Sequence, residues 1–207
     1  MPRSAAESEA VEKRIEDAVF KLMEDRDIPD IKISDVVALA GVSRSTFYRH
    51  FSNVDEVVKL FEGRLLDIMR SINKSALKAR FDKNELKPTL SMIARMEAIY
   101  GFRDKILALN GPHGDPQFEH KATVFMHEYL SHRLSGISGT SLDEEFYLSF
   151  IIAGHHNLVH YWLEKHPEVA PERVATLLNR LYYATFFLDD PDFQPPWIAG
   201  NGSAPLT

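Results

Sequence analysis

Apolar residues in this chain recur every three or four positions and almost nowhere every two. Val11, Ile15, Val19 and Leu22 set the pattern, with charged residues between them. That spacing is one apolar stripe on a helix, and no alternating run is long enough for a strand. The fold class that follows is all-α, with about nine helices. The first runs to about Arg26, where Asp27-Ile28-Pro29-Asp30 is turn-forming. The second opens at Lys32 or Ser34 and stops at Gly41, the third covers 44–51, and the fourth runs from Asp55 to about Arg80. Leu86 to Leu109 is one continuous helix by period. Asn110 to Pro116 breaks the chain, and Phe118–Leu134 resumes it. A Gly/Ser loop over Ser135 to Ser141 then leads to helices over Leu142–Lys165 and Pro171–Leu188. Beyond them Pro191, Pro195, Pro196 and Pro205 predict an extended tail over 191–207, with Phe193 and Trp197 as candidate anchors.

Composition narrows the function classes. Of 207 residues, 44% are hydrophobic and 26% charged, enough apolar material for a sizeable core. There is no cysteine, which removes disulfide frameworks, thiolate zinc sites and cysteine nucleophiles together. No secretory signal and no apolar run of membrane length are visible, so the expectation is a cytoplasmic protein without a membrane partner. The formal net charge is −6, which excludes polyanion binding by bulk charge and requires a local patch for any such contact.

Residues 33–51 supply that patch. Two short helices joined by a tight turn containing glycine are the helix-turn-helix plan. Val36, Leu39 and Ala40 are expected to face inward, Gly41 to take the left-handed turn, Val42 to fill the corner and Ser43 to cap the next helix. Phe47 and Phe51, four apart, then point into the core. Ser45, Thr46 and Arg49 point away from it, with Tyr48 on one flank and Arg44 at the helix start. Short polar groups and arginines are the side chains that reach base edges and phosphates. The window from Ser43 to Val54 holds no acid. Spacing alone leaves two readings open: a DNA-reading face, or a helical hairpin with a polar outer side.

Ala40-Gly41-Val42-Ser43, followed by Thr46-Phe47-Tyr48-Arg49-His50-Phe51, closely resembles the signature of the TetR family of transcriptional regulators. The resemblance covers roughly residues 9–62. It implies a helix-turn-helix domain over 1–62, a ligand-binding and dimerisation domain over 63–190, and a third helix lying in the major groove. On that likeness Ser45, Thr46 and Arg49 are candidates for base or phosphate contact, and Tyr48 and His50 for phosphate. Ser43, Arg44, Ser34 and Lys32 complete the candidate DNA-binding set. Three positions depart from the family pattern, one of them Val37, which stands where alanine is frequent. Val54 stands where a phosphate-holding lysine is usual, and Lys32 where a capping threonine is usual, with Ser34 as its possible substitute. The function implied is a sequence-specific regulator, by default a repressor released by a small-molecule effector, that binds a pseudo-palindromic double-stranded operator as a homodimer.

Apolar residues circle the last two helices almost completely, which predicts burial on two sides, once by the chain's own core and once by a second copy. Phe146, Ile151, His155, Leu158, Trp162, Leu178, Leu181 and Tyr182 are the candidate dimer residues. Met92, Met96, Tyr100, Phe118, Phe125, Met126, Tyr129 and Phe150 are candidate walls of an effector pocket, against the alternative that they are plain core. His156, His160 and Glu164, with His155 beside them, share a helical face, and His127, Glu128 and His132 form a second cluster. Such spacing can bind metal, but hydrogen-bonded partners in a core or seam are the simpler reading, so no metal and no cofactor are expected. An enzyme is not expected either. Gly136-Ile137-Ser138-Gly139 lacks the last glycine of a nucleophile elbow, and no P-loop or dinucleotide-binding pattern occurs. The alternatives carried forward are an all-helical protein with a His-rich metal or catalytic site, and a helix-turn-helix module that binds protein only.

Overall fold

The computed structural model describes residues 5–76, 87–134 and 142–186. Among them are nine α-helices and no strand: α1 Ala5–Leu22, α2 Ile33–Ala40, α3 Arg44–His50, α4 Val54–Ala76, α5 Leu90–Gly101, α6 Arg103–Leu109, α7 Phe118–Leu134, α8 Leu142–Lys165 and α9 Pro171–Phe186. The tail over 191–207 and the loop at Ser135–Ser141, with its Gly136–Gly139 fragment, lie outside the described residues, as does the His132 side chain. No described helix is long and apolar enough to cross a membrane.

The first four helices follow their local signals. Val11, Ile15, Ala18 and Val19 are buried along the face of α1 that packs on α2 and α4. Helix α1 stops at Leu22, a turn earlier than the period suggests, and Ile28–Asp30 adds one turn of 3-10 helix with Pro29 in it. Gly41 ends α2 at φ 64, and the N–H of Val42 closes a 3.1 Å bond to the Val37 carbonyl. A left-handed residue followed by such a six-residue bond is a common helix stop. Two expectations fail here. Leu39 is 54% exposed, because the face of α2 turned to the core carries Val36 and Ala40, with Ile33 and Val37 at its edges. Neither Ser34 nor Lys32 caps α2: the residue before the helix is Lys32, no side chain caps it, and the Ser34 hydroxyl turns to Asp35.

Helix α4 starts with a reciprocal cap. Asn53 Oδ1 accepts from the Glu56 N–H at 2.8 Å, and Glu56 Oε2 accepts from the Ser52 N–H at 2.5 Å. Val54, where the family pattern places a lysine, is buried instead. The boundary drawn at 62 falls inside this helix. Phe61 of α4 meets Phe20 of α1 at 4.8 Å and Phe102 at 5.5 Å between ring centres, so one apolar core runs through both ends of the molecule.

The segment read as one helix from Leu86 to Leu109 is two. Helix α5 opens on Thr89, whose hydroxyl accepts from the Met92 N–H at 3.3 Å, and it closes at Gly101. Phe102 leaves the helical conformation (φ −108, ψ 18) and α6 begins directly after it. The apolar period continues through the break, so periodicity alone could not register the change of direction; the glycine is the local weak point. Helix α5 packs between α4 and α9, and α8 between α7 and α9.

Candidate nucleic-acid interface and the cavity behind it

The outer face of α3 is built from its N-terminus. Ser43 Oγ accepts from the Thr46 N–H at 3.0 Å and also contacts the hydroxyls of Ser45 (2.8 Å) and Thr46 (2.9 Å). This cap holds the first turn against the core pin, Phe47, which is completely buried and flanked by Phe51. With Phe47 fixed, Arg44, Ser45, Tyr48 and Arg49 stand in solvent. Neither Arg44 nor Arg49 has an ion-pair partner among the described residues, and neither does the exposed Lys32 of the preceding turn. Thr46 and Ser34 are half-buried. His50 departs from its expected place. Its ring is almost covered and bonds Glu12 Oε1 of α1 at 2.9 Å, so it braces α3 against α1 rather than facing outward.

Behind this unit lies a cavity of about 390 Å³. Its apolar walls come from Leu65 and Met69 of α4, Ile99 of α5, Ile106 of α6, and Phe118, Phe125 and Met126 of α7, and its polar groups are Arg95, Asn110, Glu119, Asn157 and three histidines of α8. Of the eight residues predicted to line a pocket, Phe118, Phe125 and Met126 do so. Met92 and Met96 are packed in the core beside it, and Tyr129 lies under the Arg95 guanidinium. Tyr100 stacks on Trp162 at 5.6 Å, and Phe150 points outward, 71% exposed.

The histidine stripe is divided by the same wall. His155, placed by sequence at a dimer seam, is buried and shares a 2.6 Å hydrogen bond with Tyr182 of α9. Burial, with the nearby Arg95 and His156, holds its pKa well below the ordinary 6.5, and burial also lowers that of His156. The ring of His155 is therefore neutral. His160 stays near the surface, 3.8 Å from Glu164. Among the described residues no three such side chains gather around a common point. The dimer set divides as well. Ile151, Trp162, Leu178 and Tyr182 are buried within the chain, and Trp162 donates to the Val169 carbonyl at 2.9 Å, which pins it inward. Leu158 is half-buried. Leu181 of α9 is exposed, and so is Phe146, which Phe150 and Tyr161 join on the outer face of α8.

Three ion-pair groups that the sequence reading missed tie the two ends together. Glu16 of α1, itself buried, receives Arg64 of α4 at 2.7 Å and Lys105 of α6 at 2.5 Å, and Lys105 also reaches Asp17 at 2.6 Å. Lys121 of α7 bridges Glu62 and Asp115. Burial pushes the Glu62 carboxyl up, and Lys121 offsets this in part. His113 meets Asp27 at 2.6 Å. Apart from Lys121–Asp115, each pair joins residues far apart in the chain, and no sequence spacing signals such a contact.

Residues 15–60 match the family model described as bacterial regulatory proteins of the tetR family, and residues 87–183 match a transcriptional regulator C-terminal region. The chain belongs to the TetR family. Like other members of that family it is a transcriptional regulator with a helix-turn-helix DNA-binding domain. Among solved structures it is similar to a TetR transcriptional regulator from Streptococcus agalactiae 2603V (TM-score 0.56, 19% identity, covering 86% of this chain and 96% of that one). It is also similar to the fatty acid degradation regulator FadR from Bacillus halodurans (TM-score 0.60, 14% identity, covering 94% and 100%). At these identities the likeness is one of fold. A curated relative, the uncharacterized HTH-type transcriptional regulator YxbF of Bacillus subtilis (strain 168), is 20% identical over 180 residues. That match takes in 81% of this chain but only 43% of the relative, so this TetR chain spans less than half of that protein's length.

Proposed function

We propose that this TetR regulator binds a pseudo-palindromic operator as a homodimer through the exposed face of α3, and lets go when a small molecule fills the cavity. The observation that carries the reading is the pairing of an uncommitted cationic face on α3 with a cavity whose helices α4 and α6 are ion-paired to α1. Arg44 and Arg49 leave α3 free of internal partners, while α4 and α6 each line the cavity and hold α1. In α4, Arg64 bonds Glu16 and the next residue, Leu65, faces the cavity. In α6, Lys105 bonds Glu16 and the next residue, Ile106, faces the cavity. A ligand that spreads the walls at Leu65 or Ile106 therefore changes how α1 and the recognition helix are carried. Repression relieved by ligand is the sign of regulation this coupling supports. Arg49, Ser45 and Thr46 read bases or phosphates in this scheme, and Arg44, Tyr48 and Lys32 hold the backbone.

Two-fold pairing is supported by the outer face of α8. Phe146 (65% exposed) and Phe150 (71%) lie one turn apart, and Tyr161 of α8 and Leu181 of α9 are also exposed. Selection from a random DNA pool is expected to enrich two inverted half-sites spaced by about one helical turn. A pool that enriches no inverted repeat removes the operator reading. Light scattering is expected to give a dimer for the wild type and a monomer for Phe150→Asp; a monomeric wild type removes the dimer.

A further inference from the structure

The cavity contains a cation that no carboxylate among the described residues neutralises. Arg95 of α5 is only 3% exposed and lies in the cavity wall. One guanidinium nitrogen bonds the Asn73 carbonyl oxygen, and the group lies 4.5 Å over the Tyr129 ring. Its Nε finds no hydrogen-bond partner, and no carboxylate pairs with it among the described residues. Asn73 has an unpaired Nδ2 in the same place. A buried guanidinium held only by neutral groups is costly, since desolvation is not offset by an opposite charge. Glu119 is at the exposed side of the cavity, in contact with solvent, and does not relieve it.

We infer that the cavity binds an amphipathic monocarboxylate, with its acid group on Arg95 and its apolar body against Met69, Ile106, Phe118 and Phe125. A planar carboxylate matches the guanidinium fork and supplies the missing counter-charge. The neighbouring groups agree with a single negative charge. His155 is neutral and tied to Tyr182, so it adds hydrogen-bonding capacity without adding charge. A doubly charged phosphate would leave excess charge against the apolar walls, and an amine would meet a buried cation. The volume, about 390 Å³, is at the small end for ligand sites, which favours a short acid over a large conjugate.

This assignment rests on the effector-pocket reading above, and the test separates the two. The full chain is titrated by calorimetry with hexanoate, octanoate and benzoate, and with hexanol, octanol and benzyl alcohol as uncharged partners of the same skeletons. At least one acid is expected to bind more tightly than its alcohol. Arg95→Met is expected to lower that acid's affinity by roughly ten- to a hundredfold while leaving the alcohol unaffected, and Arg95→Lys to recover part of the loss. Thermal melting of the unliganded variants checks folding, because a purely structural Arg95 would lower the melting temperature without a difference between acid and alcohol. Alcohols that bind as well as acids, acids that ignore Arg95→Met, or no binding by any acid would each overturn the carboxylate assignment. An acid that binds through Arg95 but leaves operator affinity unchanged upholds the site and removes the effector role instead.

Discussion

Arg49 and Arg95 are both guanidinium groups without a carboxylate partner among the described residues, and water is the difference between them. Arg49 is on the outside of α3, fully hydrated, and leaving it unpaired costs almost nothing. Arg95 is in the wall of the cavity, where water cannot take the place of a counter-ion. A free cation at the surface is available for a polyanion and is common on many proteins; what marks Arg49 is its position on a capped helix pinned by Phe47. A free cation in the interior needs no such context to be informative. The two ends thus advertise binding by different means, one by geometry and one by an unpaid desolvation.

The largest effect should come from the pin itself. Phe47→Ala is expected to cost about 3–5 kcal/mol of unfolding stability, because a completely buried ring leaves a cavity. Phe125→Ala, on the wall of an existing cavity, should cost less. Equal losses in denaturant melts would mean that the wall is packed as tightly as the pin, and the contrast between the two ends would fail. Next in size is Arg49→Ala, expected to weaken operator binding by about 1–3 kcal/mol and lower the salt slope by about one, with no change in melting temperature. Wild-type affinity in a gel-shift titration would move the recognition face elsewhere.

The link between the ends comes third. Glu16→Gln keeps the shape but removes the charge that Arg64 and Lys105 share. Operator affinity without ligand should change by only about 1 kcal/mol. The drop in operator affinity that ligand causes should shrink, and an undiminished response would show that α1 is not the route.

Acid should have the smallest effect, and it is expected through the two buried histidines of the cavity wall. His155 and His156 are neutral in the fold because burial lowers their pKa, whereas the unfolded chain takes up protons near pH 6.5. The unfolded state then binds more protons, so stability is full above that pH and declines as pH falls below it. The groups facing His155 are Arg95, Tyr182 and His156, and Glu119 acts on His156 with the opposite sign. Thermal melts between about pH 7.5 and about pH 5.5 should show the decline, and His155→Gln should flatten it. An unchanged slope in the variant would place the titrating group elsewhere.

The helix-turn-helix was legible because it is local. The Gly41 stop, the Ser43 cap and the Phe47–Phe51 pair each act within about a turn of the residue that encodes them, and the structure reproduces all three. Signals that run between elements were not legible. His50 looks like an outward polar residue at the end of α3 until Glu12 approaches it from a different helix. Arg95 could have been found, since it stands between Met92 and Ile99 on one apolar stripe, where a charge is out of place.

The sequence by itself determined the helical class, the helix-turn-helix and which residues of α3 face outward at its start, because helix period, capping and turn chemistry depend on neighbours in the chain. Only the tertiary structure decided which way α8 faces. A helix apolar all round states that both sides are to be covered but does not say by what. Packing against α7 and α9 turned Ile151, His155 and Trp162 inward and left Phe146, Phe150 and Tyr161 outside. The same packing buried Arg95 in the cavity wall, where little water reaches a guanidinium that the sequence alone shows as an ordinary arginine.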